Sequence, residues 1–350
     1  MKFLTVLHAV ILWSLAYSCP GETIDVYILA GQSNMGDGGV TQYHDNGQTI
    51  YTTIPELRLP QESIYQFKMR NGGEYTSNNW QQLQPNGNYF GPELSFGYAL
   101  STRDAPVAII KTAANGTNLA EDWDVTPAPG SQGLYDWMMT KVTSSLQQLP
   151  AQYTPHLAGF VWVQGEGDAA VQMRAASYKA NLLAFADKLR TDLGVPDLPF
   201  AFNQGHAGMA RSFVNILRQQ QYEASLAPNM HMINVDDLGL RVDQVHFDAY
   251  THLEVGKRFA DLFHPYADLN EDLSIDGSDL ALWKSSMGAT NRLGDTNADA
   301  IVDGTDFLLW QRQVGSSSAS LGTLIPEPTA FALALALGLL FLAPNQRLPT

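Results

Sequence analysis

Short apolar segments alternate with longer amphipathic ones over most of the first 266 residues. The amphipathic segments have the period of helices, most clearly at residues 177–193 and 210–224. The apolar segments have the length of strands buried on both faces, and they occupy residues 25–30, 107–111, 159–164, 199–203 and 230–235. This alternation predicts a parallel sheet covered by helices on both faces, with a ligand site at the carboxyl ends of the strands.

Composition narrows the class of protein. Of the 350 residues, 45% are hydrophobic and 16% charged, which allows a buried core, and the length favours two domains over one. The 35 acidic and 20 basic residues give a formal charge of -15, which disfavours nucleic-acid binding because Lys and Arg must neutralise the phosphates. The one cysteine, Cys19, excludes an intrachain disulfide bond and a cysteine-based zinc site.

Residues 1–18 have the pattern of a secretory signal peptide. A basic residue precedes an apolar run that extends to Ala16, and Ala16 and Ser18 are the small residues of a cleavage site. Cleavage after Ser18 would make Cys19 the first mature residue, so a lipoprotein signal is an alternative, although Tyr17 fits that pattern poorly. We expect export to the extracellular space or the cell surface.

Residues 326–350 resemble a second targeting signal. Pro-Glu-Pro at 326–328 precedes an apolar stretch at 330–343, and Arg347 follows, as in the PEP-CTERM sorting signal of bacterial exported proteins. At 1.5 Å rise per residue the stretch spans about 21 Å of the ~30 Å hydrocarbon core. It is therefore a marginal membrane span, and we expect membrane contact only through this segment. Residues 316–325 predict a flexible linker.

Residues 268–279 and 295–306 form an internal repeat. Positions 1, 3, 5, 7, 9 and 12 of each copy match the loop positions that surround Ca²⁺ with oxygen ligands. A short apolar helical pattern follows each copy. The spacing predicts two calcium sites, formed by Asp268, Asn270, Asp272, Ser274, Asp276 and Asp279 in the first copy and by Asp295, Asn297, Asp299, Ile301, Asp303 and Asp306 in the second.

The repeat resembles the dockerin type I domain, because position 12 is Asp rather than Glu and the two copies are 27 residues apart. The resemblance implies a small all-α calcium-binding domain over residues 267–315 and a cohesin-like protein partner. Leu273 and Ala300 stand at position 6, where the sharp turn usually has Gly, which leaves the calcium affinity open. The alternative is a pair of acidic, solvated loops.

Polar segments follow the predicted strands. Ser33 follows the first strand in Gly-Gln-Ser-Asn-Met-Gly, where the glycines permit a tight strand-to-helix turn that exposes a hydroxyl. Asp243 precedes His246 by three residues, so its carboxylate can fold back onto Nδ1–H while Nε2 faces Ser33. Each pattern alone is common in turns and surface loops. Together they predict a serine nucleophile with its base.

Four motifs occur in the order typical of one enzyme family: Gly-Gln-Ser-Asn-Met at 31–35, Gly-Pro-Glu-Leu at 91–94, Trp-Val-Gln-Gly-Glu-Gly-Asp at 162–168 and Asp-Gln-Val-His-Phe at 243–247. Over residues 23–266 the chain resembles the sialate O-acetylesterase-like branch of the SGNH hydrolases, which includes acetylxylan esterases of carbohydrate esterase family 6. The resemblance implies a three-layer α/β fold with a parallel sheet, an acetylated carbohydrate substrate and no catalytic cofactor.

The same resemblance implies a role for each motif. Ser33 would be the nucleophile, His246 the general base and then acid, and Asp243 the group that orients the imidazole. Glu166 is an alternative orienting acid. The resemblance also implies an oxyanion hole, made by the backbone N–H groups of Ser33 and Gly91 and the side-chain amide of Gln164.

Further residues near strand ends are candidates for the rim of a substrate pocket. Asn115, Thr117 and Trp123 follow the second predicted strand, and His206 follows the fourth. Their amide, hydroxyl, indole and imidazole groups could hold a sugar. A Gly-containing turn with a packed Trp explains the Asn115–Trp123 segment equally well.

The sequence therefore predicts an exported carbohydrate O-acetylesterase with a calcium-binding module and a C-terminal sorting segment. One alternative is an esterase of the same fold that acts on a different ester, such as a lipid or cell-wall acetyl group. Another is a catalytically silent, calcium-dependent surface or carbohydrate-binding protein. The presence of Ser33, Asp243 and His246 together argues against the silent alternative.

Overall fold

The computed structural model describes residues 21–36, 39–40, 57, 59–70, 77, 79–86, 89–103, 105–126, 133–264, 267–270, 274–289, 294–296 and 301–314. The predicted signal peptide, linker and sorting segment lie outside the described residues, as do Cys19, Asp272, Leu273, Asn297, Asp299 and Ala300. The chain divides into two compact units, of which the first contains most of the chain up to Phe263 and the second the residues from His264 onward.

The first unit is built on a seven-stranded, mostly parallel sheet. In chain order its strands, together with a two-stranded ribbon formed by β2 and β5, are β1 (Glu22–Gly31), β2 (Gly39–Val40), β3 (Ile64–Arg70), β4 (Gln81–Gln82), β5 (Tyr89–Phe90), β6 (Ala108–Ala114), β7 (Tyr153–Val163), β8 (Phe200–Asn203) and β9 (Met230–Ile233). The spatial order is β4-β3-β6-β1-β7-β8-β9, and only β4 pairs in the antiparallel direction. All five predicted strands are present, and β1 is central.

Helices cover both faces of this sheet. They are α1 (Glu93–Arg103), α2 (Leu134–Gln147), α3 (Gln172–Leu193), α4 (Val214–Ser225) and α5 (Ala249–Phe263). Along β1, Val26 and Ile28 pack in the hydrophobic cluster that contains residues of α2, α3 and α4. Tyr27 and Leu29 pack in the cluster that contains residues of α1 and α5. Successive side chains of a strand point to opposite faces, so the predicted three-layer architecture is confirmed.

Burial on both faces explains why the central strands are apolar throughout. Phe185 of α3 and Phe259 of α5 are fully buried on opposite sides of the sheet. Each such side chain contributes about 1.5–3 kcal/mol of stability through burial. No helix among the described residues is both long and apolar enough to cross a membrane.

The second unit contains two short helices, α6 (Gly277–Ser286) and α7 (Gly304–Gln313). Each begins in the same way: Asp276 and Asp303 cap the helices, and each forms a capping box with the aspartate three residues later. The two halves of the repeat also exchange equivalent contacts, because the indole N–H of Trp283 donates to the carbonyl of Asp303 and that of Trp310 donates to the carbonyl of Asp276, both at 2.8 Å.

Candidate active site

The turn that follows β1 places Ser33 at the carboxyl end of the central strand. Gly31 has φ of 154°, and a Cβ there would lie 2.1 Å from the carbonyl oxygen of Val163, so only glycine fits. The carbonyl of Gln32 then accepts hydrogen bonds from the N–H groups of Met35 and Gly36, both at 2.9 Å. The turn is closed by these bonds, and Ser33 is half-buried within it.

The structure brings together the three side chains that the sequence spacing predicted to meet. Ser33 Oγ lies 2.9 Å from His246 Nε2. His246 Nδ1 lies 2.7 Å from Asp243 Oδ2. The other carboxylate oxygen of Asp243 accepts the backbone N–H groups of Val245 and His246, both at 2.9 Å. One carboxylate therefore fixes both the loop and the imidazole ring that it carries.

The loop that carries His246 needs an unusual backbone conformation. Gln244 has φ of 54°, in the left-handed region that residues other than glycine rarely adopt. Its N–H donates to the carbonyl of Arg241 at 2.8 Å, and the N–H of Arg241 donates to the carbonyl of His246 at 2.7 Å. The reversal at Gln244 is what lets Asp243 turn back toward the imidazole.

Asp243 is ionised throughout the neutral range. Partial burial alone would raise the pKa of its carboxyl, but the hydrogen bonds from the backbone and ring of His246 and from the backbone of Val245 outweigh that effect and lower the pKa to about 2. The half-exposed carboxylate thus carries a negative charge where an imidazolium would form.

Asn34, which sequence analysis did not single out, links the serine turn to both sides of His246. Its Nδ2 donates to Glu166 Oε1 at 2.5 Å and to the carbonyl of Val245 at 3.1 Å. Its Oδ1 accepts the N–H of Phe247 at 3.0 Å. One feature of the sequence indicates this role. Asn34 directly follows Ser33, so both residues lie in the turn at the end of β1.

Glu166 is close to this network but does not contact the imidazole nitrogens. It is buried, and its Oε2 has no hydrogen-bond partner among the described residues. Burial raises the pKa of Glu166 above its usual value, although its own backbone N–H, the hydrogen bond from Asn34 and the charge of His246 act in the opposite direction. Of the two candidate acids, only Asp243 bonds to the ring of His246.

A cavity of about 760 Å³ lies over Ser33 and His246. Its wall includes Asn115 and Gly116, from the loop that follows β6, and Arg211. Small-molecule sites occupy roughly 300–1,000 Å³. The cavity is therefore of the right size for a small-molecule substrate beside Ser33.

Two of the predicted oxyanion donors do not face this cavity. The N–H of Gly91 donates to Glu93 Oε1 at 3.0 Å, and Gly91 does not line the cavity. The amide of Gln164 is buried, and its Nε2 donates to Asp168 Oδ2 at 2.7 Å and to Gln32 Oε1 at 3.1 Å. These two predictions are corrected, because the Gly91 N–H and the Gln164 amide already donate hydrogen bonds to other groups of the fold.

Asp168 is the acceptor that holds Gln164. It also accepts the N–H groups of Leu119 at 2.8 Å and Ala120 at 3.2 Å. Burial raises the pKa of Asp168 to about 6, and the three hydrogen bonds oppose that rise without cancelling it. Asp168 therefore joins the loop after β6 to the loop after β7, and Gln164 supports this connection.

Only one of the four predicted rim residues, Asn115, lines the cavity. Trp123 is buried and packs edge-on against Trp162, while its indole N–H donates to Thr117 Oγ1 at 2.9 Å. The Thr117 hydroxyl is buried and donates to the carbonyl of Ala114. His206 has both ring nitrogens in local hydrogen bonds and lies outside the cavity wall. Of the two interpretations of the Asn115–Trp123 segment, the Gly-containing turn with a packed Trp is therefore the correct one for Thr117 and Trp123.

The predicted calcium loops of the second unit are described in part. The buried carboxylates of Asp279 and Asp306, at position 12, each accept backbone N–H groups from their own loop: Asp276 and Leu269 donate to Asp279, and Asp303 and Thr296 donate to Asp306. Within the described residues, no group of three or more His, Cys, Asp or Glu side chains is placed to hold a metal ion. The oxygen-only donor set is the type that suits Ca²⁺.

Comparison with known proteins points to a carbohydrate esterase family. The family model described as carbohydrate esterase, sialic acid-specific acetylesterase matches residues 23–264. A probable carbohydrate esterase of Arabidopsis thaliana is 26% identical over 246 residues, covering 68% of this chain and 89% of that protein.

Solved structures show the same fold. An Arabidopsis thaliana protein of 22% identity superposes with a TM-score of 0.54, covering 69% of this chain and 98% of its own. A carbohydrate acetylesterase from Xanthomonas citri, 21% identical, gives a TM-score of 0.50 over 68% of this chain and 55% of its own. The family match extends over more than half of the chain and includes Ser33, Asp243 and His246. The chain therefore belongs to this carbohydrate esterase family of acetylesterases and is a carboxylic ester hydrolase.

Proposed function

We propose that this protein removes acetyl groups from carbohydrate hydroxyls through an acetyl-enzyme formed on Ser33. The observation that supports this best is the continuous chain of contacts, 2.9 Å from Ser33 Oγ to His246 Nε2 and 2.7 Å from His246 Nδ1 to Asp243 Oδ2. That arrangement is what a serine needs to lose its proton to a neighbouring base while a carboxylate orients that base.

The reaction follows from these distances. Ser33 Oγ attacks the acetyl carbonyl carbon as its proton passes to His246 Nε2, which gives a tetrahedral oxyanion. The bond from carbon to the sugar oxygen then breaks, and the imidazolium returns the proton to that oxygen. Water attacks the acetyl-enzyme with His246 again taking a proton. Acetate leaves as the proton returns to Ser33.

The oxyanion needs hydrogen-bond donors in the cavity. We assign this role to the backbone N–H of Ser33 and to that of Gly116, since the N–H of Gly91 donates to Glu93. Gly116 lines the cavity and has no side chain that could screen its backbone from a substrate. One such donor accounts for about 2.7–4 kcal/mol of transition-state stabilisation in comparable sites.

The carbohydrate part of the substrate would occupy the rest of the cavity. The amide of Asn115 and the guanidinium of Arg211 can hydrogen-bond sugar hydroxyl or carboxylate groups. Arg174 lies on the same wall, held by a two-bond ion pair with Glu121.

Acetate release from a panel of substrates tests the proposal. We expect release from acetylated xylan, an O-acetylated sialic acid or an acetylated algal polysaccharide to be much faster than from an acetylated glycerolipid of equal concentration. A protein that hydrolyses the lipid and none of the carbohydrates would contradict the substrate class, whereas one that hydrolyses no ester at all would contradict the mechanism.

We also propose that the protein is exported from the cytoplasm. Its support is the pattern of residues 1–18 and of residues 326–350, which are typical of a signal peptide and of a sorting segment. The protein would act outside the cytoplasm, where acetylated polysaccharides occur.

We further propose that residues 267–315 form a dockerin-like calcium module that binds a cohesin-like protein. Support comes from the equivalent helix starts of α6 and α7 and from the buried position-12 carboxylates, each of which ties the start of its loop to its end. Asp268 and Asp295 stand at position 1 of the two loops and outside the capping boxes.

Calorimetric titration of the full chain with Ca²⁺ tests the module. We expect heat with a stoichiometry of two ions and a rise in helicity by circular dichroism. The Asp268→Ala/Asp295→Ala variant should lose the heat of binding and keep its helix caps. Wild-type protein that shows neither heat nor a change in helicity would remove calcium from the proposal.

A further inference from the structure

A buried ion pair lies beneath the turn that carries Ser33. Lys111 is on β6 with a side chain that is 0% exposed, and its Nζ lies 2.7 Å from Glu93 Oε2 at the start of α1. Lys and Glu are almost never fully buried, and removing each charge from water costs several kcal/mol. Apolar residues of similar volume are often as stabilising or more so, so fold stability alone does not explain this pair.

The ammonium group of Lys111 also contacts the serine turn. Nζ donates to the carbonyl oxygen of Gly36 at 2.8 Å, and Gly36 is the last residue of the turn. The N–H of the same residue closes the turn by donating to Gln32. Nζ also lies 4.3 Å from the centre of the Phe67 ring, which limits its movement on that side. Lys111 thus fixes the end of the turn from below.

The second carboxylate oxygen of Glu93 extends the network. Oε1 accepts the N–H of Gly91 at 3.0 Å. A Cβ at Gly91 would lie 2.4 Å from the Gly36 carbonyl oxygen and 2.8 Å from Lys111 Nζ, so a larger residue would push the ion pair away from the turn. This contact accounts for the Gly-Pro-Glu motif, whose glycine does not face the cavity.

We propose that Lys111 and Glu93 are positioning residues that set the place of Ser33 Oγ relative to His246 Nε2. Lys111 holds the Gly36 carbonyl, and Glu93 holds Lys111 and the Gly91 backbone. The inference rests on the proposed role of Ser33 as nucleophile. Misplacement of a reacting group by about 1 Å can lower a rate by about 10²-fold, so a small movement of the turn has a large effect on turnover.

The test compares Lys111→Met with the double variant Lys111→Met/Glu93→Gln. The single variant leaves the Glu93 charge buried and unpaired and is expected to be unstable. The double variant removes both charges, and its glutamine oxygen can still accept the N–H of Gly91. We expect the double variant to melt within a few degrees of wild type, with kcat lowered about 10²-fold and KM changed less than about threefold.

A second readout reports on the serine directly. The rate at which a small organophosphonate labels Ser33 should fall by the same factor as kcat, because labelling needs the same contact with His246. Two controls separate positioning from stability. Leu189→Ala creates a cavity in the cluster on the opposite face of the sheet and should lower the melting temperature without changing kcat. Lys179→Met/Glu223→Gln removes a half-exposed ion pair and should change neither the melting temperature nor kcat.

The outcomes distinguish this inference from the proposed function. A double variant that is folded, turns over substrate and is labelled at the wild-type rate would overturn the positioning role and leave the function of Ser33 untouched. Wild-type protein that neither hydrolyses esters nor is labelled at Ser33 would instead overturn the proposed function, and the positioning role with it.

Discussion

Replacing Ser33 by alanine is expected to lower kcat/KM for a chromogenic acetate ester by about 10⁴- to 10⁶-fold, the range found when a serine enzyme loses its nucleophile. The variant keeps the cavity and the donors to the oxyanion but cannot form an acetyl-enzyme. Steady-state hydrolysis, corrected for the rate of the buffer alone, measures the effect.

The structure offers a matched control for this change. Ser212 lines the same cavity and is exposed, and no role in the reaction is assigned to it. Ser212→Ala removes the same hydroxyl from the same pocket and should change kcat/KM by less than about fivefold, the equivalent of one ordinary hydrogen bond. Both variants should melt near the wild-type temperature. If Ser33→Ala and Ser212→Ala lose equal activity, Ser33 is not the nucleophile.

The local pattern of apolar residues was enough to predict the central strand of the sheet. The strand at residues 25–30 is apolar on both of its faces because helices cover both sides of the sheet. The structure places this strand at the centre of the sheet as β1. Strand β3 escaped prediction because Gln66 and Lys68 interrupt its apolar residues. Gln66 is accommodated by the side chain of Ser145 and Lys68 by the backbone carbonyl of Ser77, and no local pattern reveals these partners.

The same distinction applies to the site. Asp243 and His246 could be paired from sequence because they lie three residues apart in one loop, and the meeting with Ser33 followed from the geometry of strand ends. The direction of a single N–H could not be predicted. Whether Gln164 faces the substrate depends on Asp168, whose buried carboxylate gathers donors from two loops. The burial of Trp123 likewise depends on distant core residues.

Asn substitution of Asp243 should lower kcat/KM by about 10⁴-fold near neutral pH, the size of effect that this change has in a serine protease triad. With its pKa lowered to about 2, the carboxylate of Asp243 is charged whenever the imidazolium forms. An amide carries no such charge and can present an N–H to Nδ1, which favours the wrong tautomer. The loss should therefore appear mainly in kcat, and the melting temperature should fall only slightly because the amide oxygen can still accept the N–H groups of Val245 and His246.

Glu166→Gln is the matched substitution at the competing acid. The glutamine oxygen can still accept the N–H of Asn34, so the link to the His246 loop is kept while the charge is removed. We expect a loss of less than about tenfold, since a hydrogen bond of this kind contributes about 1–1.5 kcal/mol. The kinetics of the two variants, measured side by side at pH 5 to 9, decide between the acids. If Glu166→Gln lost about 10⁴-fold and Asp243→Asn were nearly as active as wild type, the orienting charge would act from Glu166 through space, and the 2.7 Å contact of Asp243 would serve the loop alone.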